Sequence, residues 1–364
     1  MSAVLEVATK QAVAGQDQDP APAIAIVLLG TGVVGGALLK LLNTPAAASV
    51  RLVGAANSRR QQLDPARLAS RGLREQLNSD GEPRDNVRLL AALDTSGAAV
   101  KVLIDATANA ALAARHAEWL ARGYHVVTAN KALAGGDLSG WRALQAATAN
   151  GGRYGDSATV GAGLPVLSTL RRLRLCGDAL LTLEGVFSGS LSWLFNQYDG
   201  SKPFSALLRE ARQLGFTEPD PRSDLSGDDV ARKLLIIARN AGFSLGVDEV
   251  LVESLVPESL RAIDTETFLV RLEELDAPLA ARHAEAASRG GVLRFLARLN
   301  QRGHARVGLV EVPVTHPAAR LYGTDNQFAF TTTRYNSQPL VIQGPGAGPE
   351  VTAQALLGDV LALG

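Results

Sequence analysis

The feature that most restricts the fold is a strand-like run, a glycine-rich turn and a helix-like run near the start of the chain. Residues 23–29, AIAIVLL, are continuously apolar, and GTGVVGGALLKLL follows at once. A short apolar run that ends at glycines predicts a buried strand, and the leucine spacing after the glycines predicts a helix. This order of elements is typical of the first unit of a doubly wound parallel sheet.

The turn carries a G-x-G-x-x-G pattern formed by Gly30, Thr31, Gly32, Val33, Val34 and Gly35. Such glycines permit a tight turn and let backbone N–H groups approach a pyrophosphate at the N-terminus of the helix. The pattern alone also fits a glycine turn without a ligand. Its place directly after a strand and at the start of a helix favours a dinucleotide site.

Further alternation of strands and helices follows this unit. SVRLVGAA at 49–56, KVLIDAT at 101–107 and HVVTAN at 125–130 are strand-like, and residues 110–122 have helical spacing up to Gly123. Apolar strands of this kind are covered on both faces, as parallel strands are. We therefore predict an α/β fold in which residues 23–150 form a Rossmann-type doubly wound parallel sheet. The polar, arginine-rich residues 60–99 are predicted to form a helix and a loop at its surface.

The pattern changes from residue 151 onwards. Strand-like runs such as VGLVEVPV and QFAFTTTRY follow a helical region at 247–290, which predicts a second, α+β domain over residues 151–335. Residues 336–364 are predicted to be a glycine loop and a helix that return to the first domain. Residues 1–22 mix acids and glutamines where a signal peptide needs an apolar core, so they are predicted to be a flexible lead-in.

Composition excludes several classes of partner. Lys and Arg number 36 and Asp and Glu number 36, so the formal net charge is zero and no global field attracts nucleic acid or an anionic membrane. No run approaches the roughly 18 apolar residues that a membrane span needs. The single cysteine, Cys176, excludes an internal disulfide and a thiolate-rich metal site, which is consistent with a reducing cytoplasm.

The end of the second strand bears on the choice of dinucleotide. An acidic residue there binds the ribose 2′-OH of NAD, but this chain has Asn57, Ser58, Arg59 and Arg60. Arginines hold a 2′-phosphate well, so NADP is favoured over NAD. The alternative is that both arginines are merely solvated.

Two other strand ends offer candidate residues. Thr107 in DATAN and Lys131 in VVTANK lie where ligands of doubly wound folds collect. Either residue alone is equally consistent with a turn.

An acidic segment, EPDPRSDLSGDDVARKLL, forms the second candidate site. Ser226 followed three residues later by Asp229 predicts a helix that begins near residue 227, and Gly242 predicts its end. Asp229 and Lys233 then lie one turn apart. On an exposed helix such a pair is only an ion pair that contributes about 0.3–0.5 kcal/mol.

The prolines before this helix favour a functional interpretation. Pro219 and Pro221 keep the backbone extended, so the carboxylates of Glu218, Asp220 and Asp224 are held in direction. A rigid acidic loop beside a lysine suits a ligand with an ammonium group, while the lysine handles a proton. A solvated acidic turn is the alternative.

Several long motifs together resemble one enzyme family. VVTANK, ATVGAGLPV, FSGSLSWLFN, GFTEPDPRSDLSGDDVARKLL and GPGAGPEVTA span residues 24–364 in order. They resemble homoserine dehydrogenase, especially the dehydrogenase portion of the bifunctional aspartokinase–homoserine dehydrogenases. Because no kinase-like segment precedes the glycine turn, we expect a monofunctional version.

The resemblance implies reversible reduction of L-aspartate 4-semialdehyde to L-homoserine by NADPH or NADH, in threonine, methionine and isoleucine biosynthesis. It implies that Lys233 transfers the proton, with Lys131 as the other candidate, and that Glu218, Asp224 and Asp229 hold the substrate. It also implies a cytoplasmic homodimer. The further positions that it suggests are Ser190 in the floor of the substrate pocket, where the residues alone predict a helix N-cap, and Thr107, Gly215 and Gly348 at the cofactor.

The segment SATVGAGLP resembles the family's monovalent-cation loop. By position, the carbonyl groups of Ser157, Val160, Ala162 and Leu164 bind sodium. The residues alone predict a tight glycine turn before a helix that Pro165 begins. Ser157 stands where an acid is common in the family, and Asp156 lies one place earlier.

Overall fold

The computed structural model describes residues 24–149 and 151–364 of the chain. The predicted flexible lead-in at residues 1–22 lies outside the described residues. Within them the chain forms two sheets with helices packed around each.

The first sheet is built around the predicted strand before the glycine turn. Its strand order is β4-β3-β2-β1-β5-β6-β7, and β2, β1, β5, β6 and β7 are parallel. Every residue of β1 is buried, as expected of a central strand with helices on both faces. The strands are β1 (Ile24–Leu29), β2 (Val50–Ala56), β3 (Arg60–Leu63), β4 (Glu82–Pro83), β5 (Val100–Asp105), β6 (His125–Thr128) and β7 (Tyr154–Gly155).

The helices of this half cover the sheet. Leu38 and Leu39 of the first helix pack in one apolar cluster, whereas Leu89 and Leu93 of the third pack in another. The helices are α1 (Val33–Leu41), α2 (Leu73–Asp80), α3 (Asn86–Thr95), α4 (Ala110–Ala113), α5 (His116–Ala121) and α6 (Leu138–Ala149).

The prediction for residues 60–99 is wrong in part. This stretch adds two antiparallel strands, β3 and β4, at the edge of the sheet, and α3 is partly buried rather than superficial. The sequence RQQL of β3 carries no apolar alternation. Its pairing with β2 depends on backbone hydrogen bonds, which leave no side-chain pattern to read.

The second sheet has the strand order β13-β12-β8-β10-β11-β9. The neighbours of β8 and β10 are antiparallel, and only β9 pairs in parallel, with β11. Its strands are β8 (Leu180–Val186), β9 (Val250–Val252), β10 (Gly291–Asn300), β11 (Ala305–Pro313), β12 (Asp325–Thr332) and β13 (Leu340–Pro345). The remaining helices are α7 (Val166–Leu175), α8 (Gly189–Gln197), α9 (Phe204–Gln213), α10 (Arg222–Leu225), α11 (Asp228–Ala241), α12 (Glu258–Arg261), α13 (Thr265–Val270), α14 (Asp276–Ser288) and α15 (Pro349–Leu361).

Two features depart from the predicted division of the chain. The first sheet extends past residue 150, because β7 pairs with β6. Residues 340–345 form β13 of the second sheet before α15 packs against α1 of the first half. The last helix therefore brings its N-terminus beside that of α1, above the carboxyl ends of the parallel strands. In the described ranges no helix is both long and apolar enough to cross a membrane.

Candidate functional site

The glycine turn has the geometry that a phosphate-binding loop requires. Gly30 has φ +95°, and a Cβ there would lie 2.7 Å from Cγ2 of Thr107. A Cβ on Gly35 would collide with the carbonyl oxygen of Gly30. No side chain caps α1, whose N-cap is Gly32, so the N–H groups of its first turn are open to a ligand. These backbone requirements explain why glycines stand at positions 30 and 35.

A cleft of about 870 Å³ reaches the start of α1, where it is lined by Val34 but by no other residue of the predicted glycine pattern. The carboxyl ends of β5 and β6 contribute Thr107 and Lys131, and the N-termini of α1 and α15 contribute Val34 and Gly348. Like α1, α15 has no side-chain cap at its N-terminus. The cleft is therefore bordered by two uncapped helix N-termini. That arrangement favours an anionic ligand such as a pyrophosphate.

The two lysines of the cleft, one after β6 and one on α11, meet at a single carboxylate. Nζ of Lys233 lies 2.9 Å from Oδ2 of Asp229, and Nζ of Lys131 lies 3.6 Å from Oδ1 of the same residue. Lys233 also donates a hydrogen bond of 2.7 Å to the carbonyl oxygen of Phe187. The Lys233 side chain is 12% exposed, and that of Lys131 is 30% exposed. Two elements far apart in sequence thus meet at one carboxylate.

The electrostatics keep this carboxylate charged. Burial alone would raise the pKa of Asp229, but the positive charges of Lys233 and Lys131 outweigh it and lower the pKa to about 2. Burial lowers the pKa of Lys131, and the charge of Asp229 opposes that shift only partly. Asp229 is therefore an anion that fixes two amino groups at the cleft.

Asp224 forms a second acidic position in the same cleft. Its Oδ1 accepts a 2.7 Å hydrogen bond from Ser190 Oγ, and its Oδ2 accepts one of 2.9 Å from the backbone N–H of Glu218. Burial raises the pKa of Asp224, although both hydrogen bonds oppose the shift. Glu218 itself is exposed and lines the cleft beside it.

Two details of this acidic segment differ from the sequence predictions. Asp220 faces away from the cleft and pairs with Arg222, at 2.7 Å, and with Thr265. The N-cap of α8 is Ser188 rather than Ser190, since Ser188 Oγ accepts from the N–H of Leu191. Ser190 lies one residue inside the helix, which frees its hydroxyl for Asp224.

The helix that carries Asp229 begins and ends where the sequence predicts, by a different mechanism at its start. The N-cap of α11 is Gly227 with φ +81°, and no side chain caps it. The predicted hydroxyl of Ser226 accepts only a 3.2 Å hydrogen bond from the N–H of Asp228. At the other end Gly242 has φ +102° and terminates the helix as expected.

The end of β2 is organised by Asn57. Its Oδ1 accepts 2.8 Å hydrogen bonds from the N–H groups of Arg59 and Arg60, and its Nδ2 donates to Asn78. Arg84 donates to its carbonyl oxygen at 3.0 Å. Both Oδ1 and Nδ2 of Asn57 thus form hydrogen bonds within the protein. The side chains of Ser58 and Arg59 are exposed.

Some predicted positions lie apart from the cleft wall. Gly215 is exposed in the turn after α9, and Asn57, Ser58 and Arg59 lie at the end of β2, outside the residues that line the cleft. Gly215 has φ +73°, so its glycine is explained by the turn itself.

The predicted cation loop borders the cleft through Gly161 and Ala162. Ala162 has φ +52°, and among the described residues it is the one non-glycine residue with a positive φ. In that part of the chain no N–H donates to the carbonyl oxygens of Val160 and Ala162, whereas the carbonyl of Leu164 accepts from Val166. Pro165 is the N-cap of α7 rather than its first residue.

The first predicted ligand of this loop is held by the last helix. Asp359 of α15 accepts hydrogen bonds from the N–H of Ser157, at 2.9 Å, and from its hydroxyl, at 2.7 Å. Burial raises the pKa of Asp359. No group of three or more His, Cys, Asp and Glu residues suited to a metal ion occurs in residues 24–149 and 151–364.

Sequence reasoning missed several residues of the site. The carbonyl of Phe187 is a backbone group without a side-chain signal, and Asp359 is far from Ser157 along the chain. Asp228 and Arg232 also line the cleft, one on each side of Asp229 along α11. For Arg232 the available signal was its spacing of three residues from Asp229 on the predicted helix.

Comparisons with known proteins identify the family of the chain. The family model described as homoserine dehydrogenase matches residues 165–361, and the one described as homoserine dehydrogenase, NAD binding domain, matches residues 30–154. The chloroplastic bifunctional aspartokinase/homoserine dehydrogenase 2 of Zea mays is 39% identical over 353 residues, which cover 93% of this chain and 38% of that protein.

Two shorter proteins match along nearly their whole length. The homoserine dehydrogenase of Saccharomyces cerevisiae is 36% identical over 348 residues, covering 92% of this chain and 96% of that protein. The crystal structure of a putative homoserine dehydrogenase from Archaeoglobus fulgidus is 27% identical, with a TM-score of 0.72 over 93% of this chain and 99% of that one. The chain therefore belongs to the homoserine dehydrogenase family.

Proposed function

We propose that this chain catalyses the reversible reduction of L-aspartate 4-semialdehyde to L-homoserine with a nicotinamide dinucleotide. The observation that carries the proposal is the meeting of Lys131 and Lys233 at Asp229, in a cleft that the uncapped N-terminus of α1 also borders through Val34. A bound nicotinamide dinucleotide supplies or accepts the hydride. The chain's own residues must then bind the amino acid and move one proton.

The acidic wall suits the amino group of the substrate. Asp224 is oriented by Ser190 and by the N–H of Glu218, and the exposed Glu218 lies beside it. Carboxylates held in this way form charge-assisted hydrogen bonds to an ammonium group. Glu218 and Asp224 line the same cleft as the two lysines. A substrate held there by its ammonium group can present its reacting oxygen to the lysines.

Lys233 is the proposed proton donor and acceptor. Asp229 and the carbonyl of Phe187 both hold its Nζ, so the ammonium group has a fixed direction. In the reduction it donates a proton to the oxygen that becomes the hydroxyl of homoserine, and in the reverse direction the amine takes that proton back. Lys131 shares Asp229 at a longer distance and is proposed to orient the same oxygen.

NADP is the proposed dinucleotide. At the end of β2 Oδ1 of Asn57 already accepts two backbone hydrogen bonds, so it does not replace the carboxylate that accepts from a ribose diol. Arg59 offers an exposed guanidinium at this place, which suits a 2′-phosphate. Thr107 and Gly348 are proposed to contact the dinucleotide from the ends of β5 and α15.

A monovalent cation is proposed at the loop of residues 157–164. The free carbonyl oxygens of Val160 and Ala162 support it, because carbonyl groups without a donor are suitable ligands for a hard cation. The carbonyl of Leu164 is already bonded to Val166 and is the weaker member of the predicted set.

The test is a spectrophotometric assay of NADP reduction with L-homoserine, repeated with L-serine and with the homologue one carbon longer. Turnover with homoserine well above both controls is expected. Equal or greater turnover with either homologue would mean that the substrate is another hydroxy amino acid and not homoserine. The same assay in potassium, sodium and a bulky organic cation tests the cation.

Other expectations belong to the same proposal. These are a homodimer formed through the second half, a cytoplasmic location, and a role in threonine, methionine and isoleucine biosynthesis. Light scattering on the purified protein tests the dimer. Growth of a homoserine-requiring strain that expresses this chain tests the metabolic role.

A further inference from the structure

A buried polar cluster lies beneath the cleft, at the carboxyl end of β5. Asp105 and His116 are both 0% exposed, and His116 Nε2 lies 3.0 Å from Oδ2 of Asp105. On its other side His116 Nδ1 lies 3.2 Å from the hydroxyl of Tyr154. Neither the proposed hydride transfer nor the proposed proton transfer uses these groups directly.

The hydrogen-bond pattern determines which nitrogen of His116 carries the proton. Oδ2 of Asp105 also accepts from Nδ2 of Asn130, at 3.0 Å, and Oδ1 accepts from the N–H of Thr107, at 2.9 Å. Both carboxylate oxygens thus act as acceptors, so Nε2 of His116 is the donor. Nδ1 then faces the Tyr154 hydroxyl, which can donate to it.

Asp105 connects the two strand ends that line the cleft. Through Thr107 it holds the loop after β5, whose threonine methyl group packs on Gly30. Through Asn130 it holds the loop after β6. Asn130 in turn donates to the carbonyl of Asn109 and accepts from the N–H of Ala132.

Lys131 lies between two residues that this cluster fixes, Asn130 and Ala132. Its amino group lies 3.6 Å from Oδ1 of Asp229 on α11. Asp105 therefore helps to fix the backbone from which the Lys131 side chain extends, whereas Asp229 holds its amino group at the cleft.

We propose that Asp105 and His116 are positioning residues for hydride and proton transfer. His116 donates to Asp105, and Asp105 holds the Thr107 and Asn130 loops at the separation that aligns the nicotinamide site with Lys131. This inference rests on the proposed function. An isolated buried polar cluster would stabilise the fold without affecting the reacting groups, so the test must separate the two roles.

The experiment compares His116→Leu, which removes the donor to Asp105, with Tyr154→Phe, which removes only the hydroxyl on the far side of the imidazole. His116→Gln, which keeps an amide donor and acceptor, is the rescue variant. Steady-state rates are measured with NADPH and with NADPH deuterated at the transferred hydrogen. Circular dichroism and the stoichiometry of NADPH binding give the folded fraction.

The expected result is a decrease in kcat of about tenfold to a hundredfold in His116→Leu, because small misplacements of reacting groups cost that much. The deuterium isotope effect on kcat is expected to rise, since hydride transfer becomes slower than product release. Tyr154→Phe is expected to stay within about threefold of wild type on the same grounds, and His116→Gln to recover part of the rate.

Several outcomes would overturn the inference. An unchanged isotope effect, with kcat reduced only in proportion to the folded fraction, indicates a purely structural role. Equal losses in His116→Leu and Tyr154→Phe give the same answer. If the wild type turns over homoserine and the variants are unaffected, this inference alone is wrong. If the wild type does not turn over homoserine, both this inference and the proposed function are wrong.

Discussion

Asp229 and Lys233 lie one helical turn apart on α11, with 2.9 Å between carboxylate Oδ2 and Nζ. On an exposed helix, a pair with this spacing contributes only about 0.3–0.5 kcal/mol to the stability of the helix. Here Lys131 occupies the other carboxylate oxygen, and the carbonyl of Phe187 holds Lys233 from a third direction. The pair therefore belongs to a constrained network at a cleft, which is the basis of the first two predictions.

Replacing Lys233 with Met is expected to lower kcat by about 10²- to 10⁴-fold, the usual contribution of a general acid. NADPH binding is expected to persist, because the glycine turn follows β1 of the first sheet, whereas Lys233 lies on α11. Lys131→Met is expected to cost less, since its amino group is more exposed and more distant from Asp229. Stopped-flow kinetics and fluorescence titration with NADPH measure both quantities.

Lys202→Met is the control for this pair, because Lys202 is 62% exposed on the surface and its ion pair with Glu210 measures 3.6 Å. It should behave as wild type. Loss of NADPH binding in Lys233→Met with residual chemistry would contradict the assignment. A greater loss of kcat in Lys131→Met than in Lys233→Met would exchange the roles of the two lysines.

The lowered pKa of Asp229 predicts a pH-dependent effect on stability. Its pKa is about 2 in the folded chain against an ordinary 3.8. A carboxyl with a depressed pKa stabilises the folded state fully above its ordinary value, and this stabilisation is lost as the pH falls through the folded value. The difference in Tm between wild type and Asp229→Asn should therefore be constant above pH 3.8 and shrink as the pH approaches 2.

Asp228→Asn is the matched control, since Asp228 is the exposed neighbour in the same first turn of α11. Thermal unfolding of both variants and the wild type is followed by circular dichroism over the acid range. A Tm difference for Asp229→Asn that stays the same at every pH would show that the lysines do not lower this pKa.

Much of the fold is predictable where local pattern and tertiary environment agree. β1, β2, β5 and β6 occur where apolar runs predict them, since central parallel strands are buried on both faces. The edge strands β3 and β4 are not predictable in this way, because an edge strand needs only backbone partners.

The same distinction between local sequence pattern and tertiary packing applies to the residues of the site. The spacing of Asp229 and Lys233 follows from one helix, so the sequence predicts their neighbourhood. The contacts of Lys131 with Asp229 and of Asp359 with Ser157 join segments from different parts of the chain. Such contacts depend on how α11 and α15 pack, which no local pattern encodes. Asp220 is the opposite case. Its proline-containing loop is recognisable in the sequence, yet its carboxylate pairs with Arg222 and does not line the cleft.

Ser190→Ala is expected to weaken homoserine binding at low pH. The Ser190 hydroxyl donates to Asp224 and opposes the rise in the pKa of Asp224 that burial causes. Without it the pKa rises further, so the carboxyl loses its charge at a higher pH. The KM for homoserine should begin to increase at a higher pH than in wild type as the pH is lowered.

Ser192→Ala is the control, because Ser192 is equally buried in α8 and contacts Asn196 instead. Steady-state kinetics from neutral pH downwards measure the effect. A pH dependence of KM that is the same in both variants would mean that Ser190 does not act through Asp224.

Arg59→Ala and Arg60→Ala separate a cofactor contact from a structural arginine. Arg59 has an exposed side chain at the end of β2, whereas Arg60 donates a 2.7 Å hydrogen bond to the carbonyl of Gly81. Loss of one charge-assisted hydrogen bond to a 2′-phosphate is expected to raise the KM for NADPH by about tenfold. The KM for NADH should stay unchanged, since NADH has no group there. In Arg60→Ala both KM values should stay close to wild type. An equal rise for both cofactors in Arg59→Ala would show that the arginine shapes the turn around Asn57 and does not distinguish the dinucleotides.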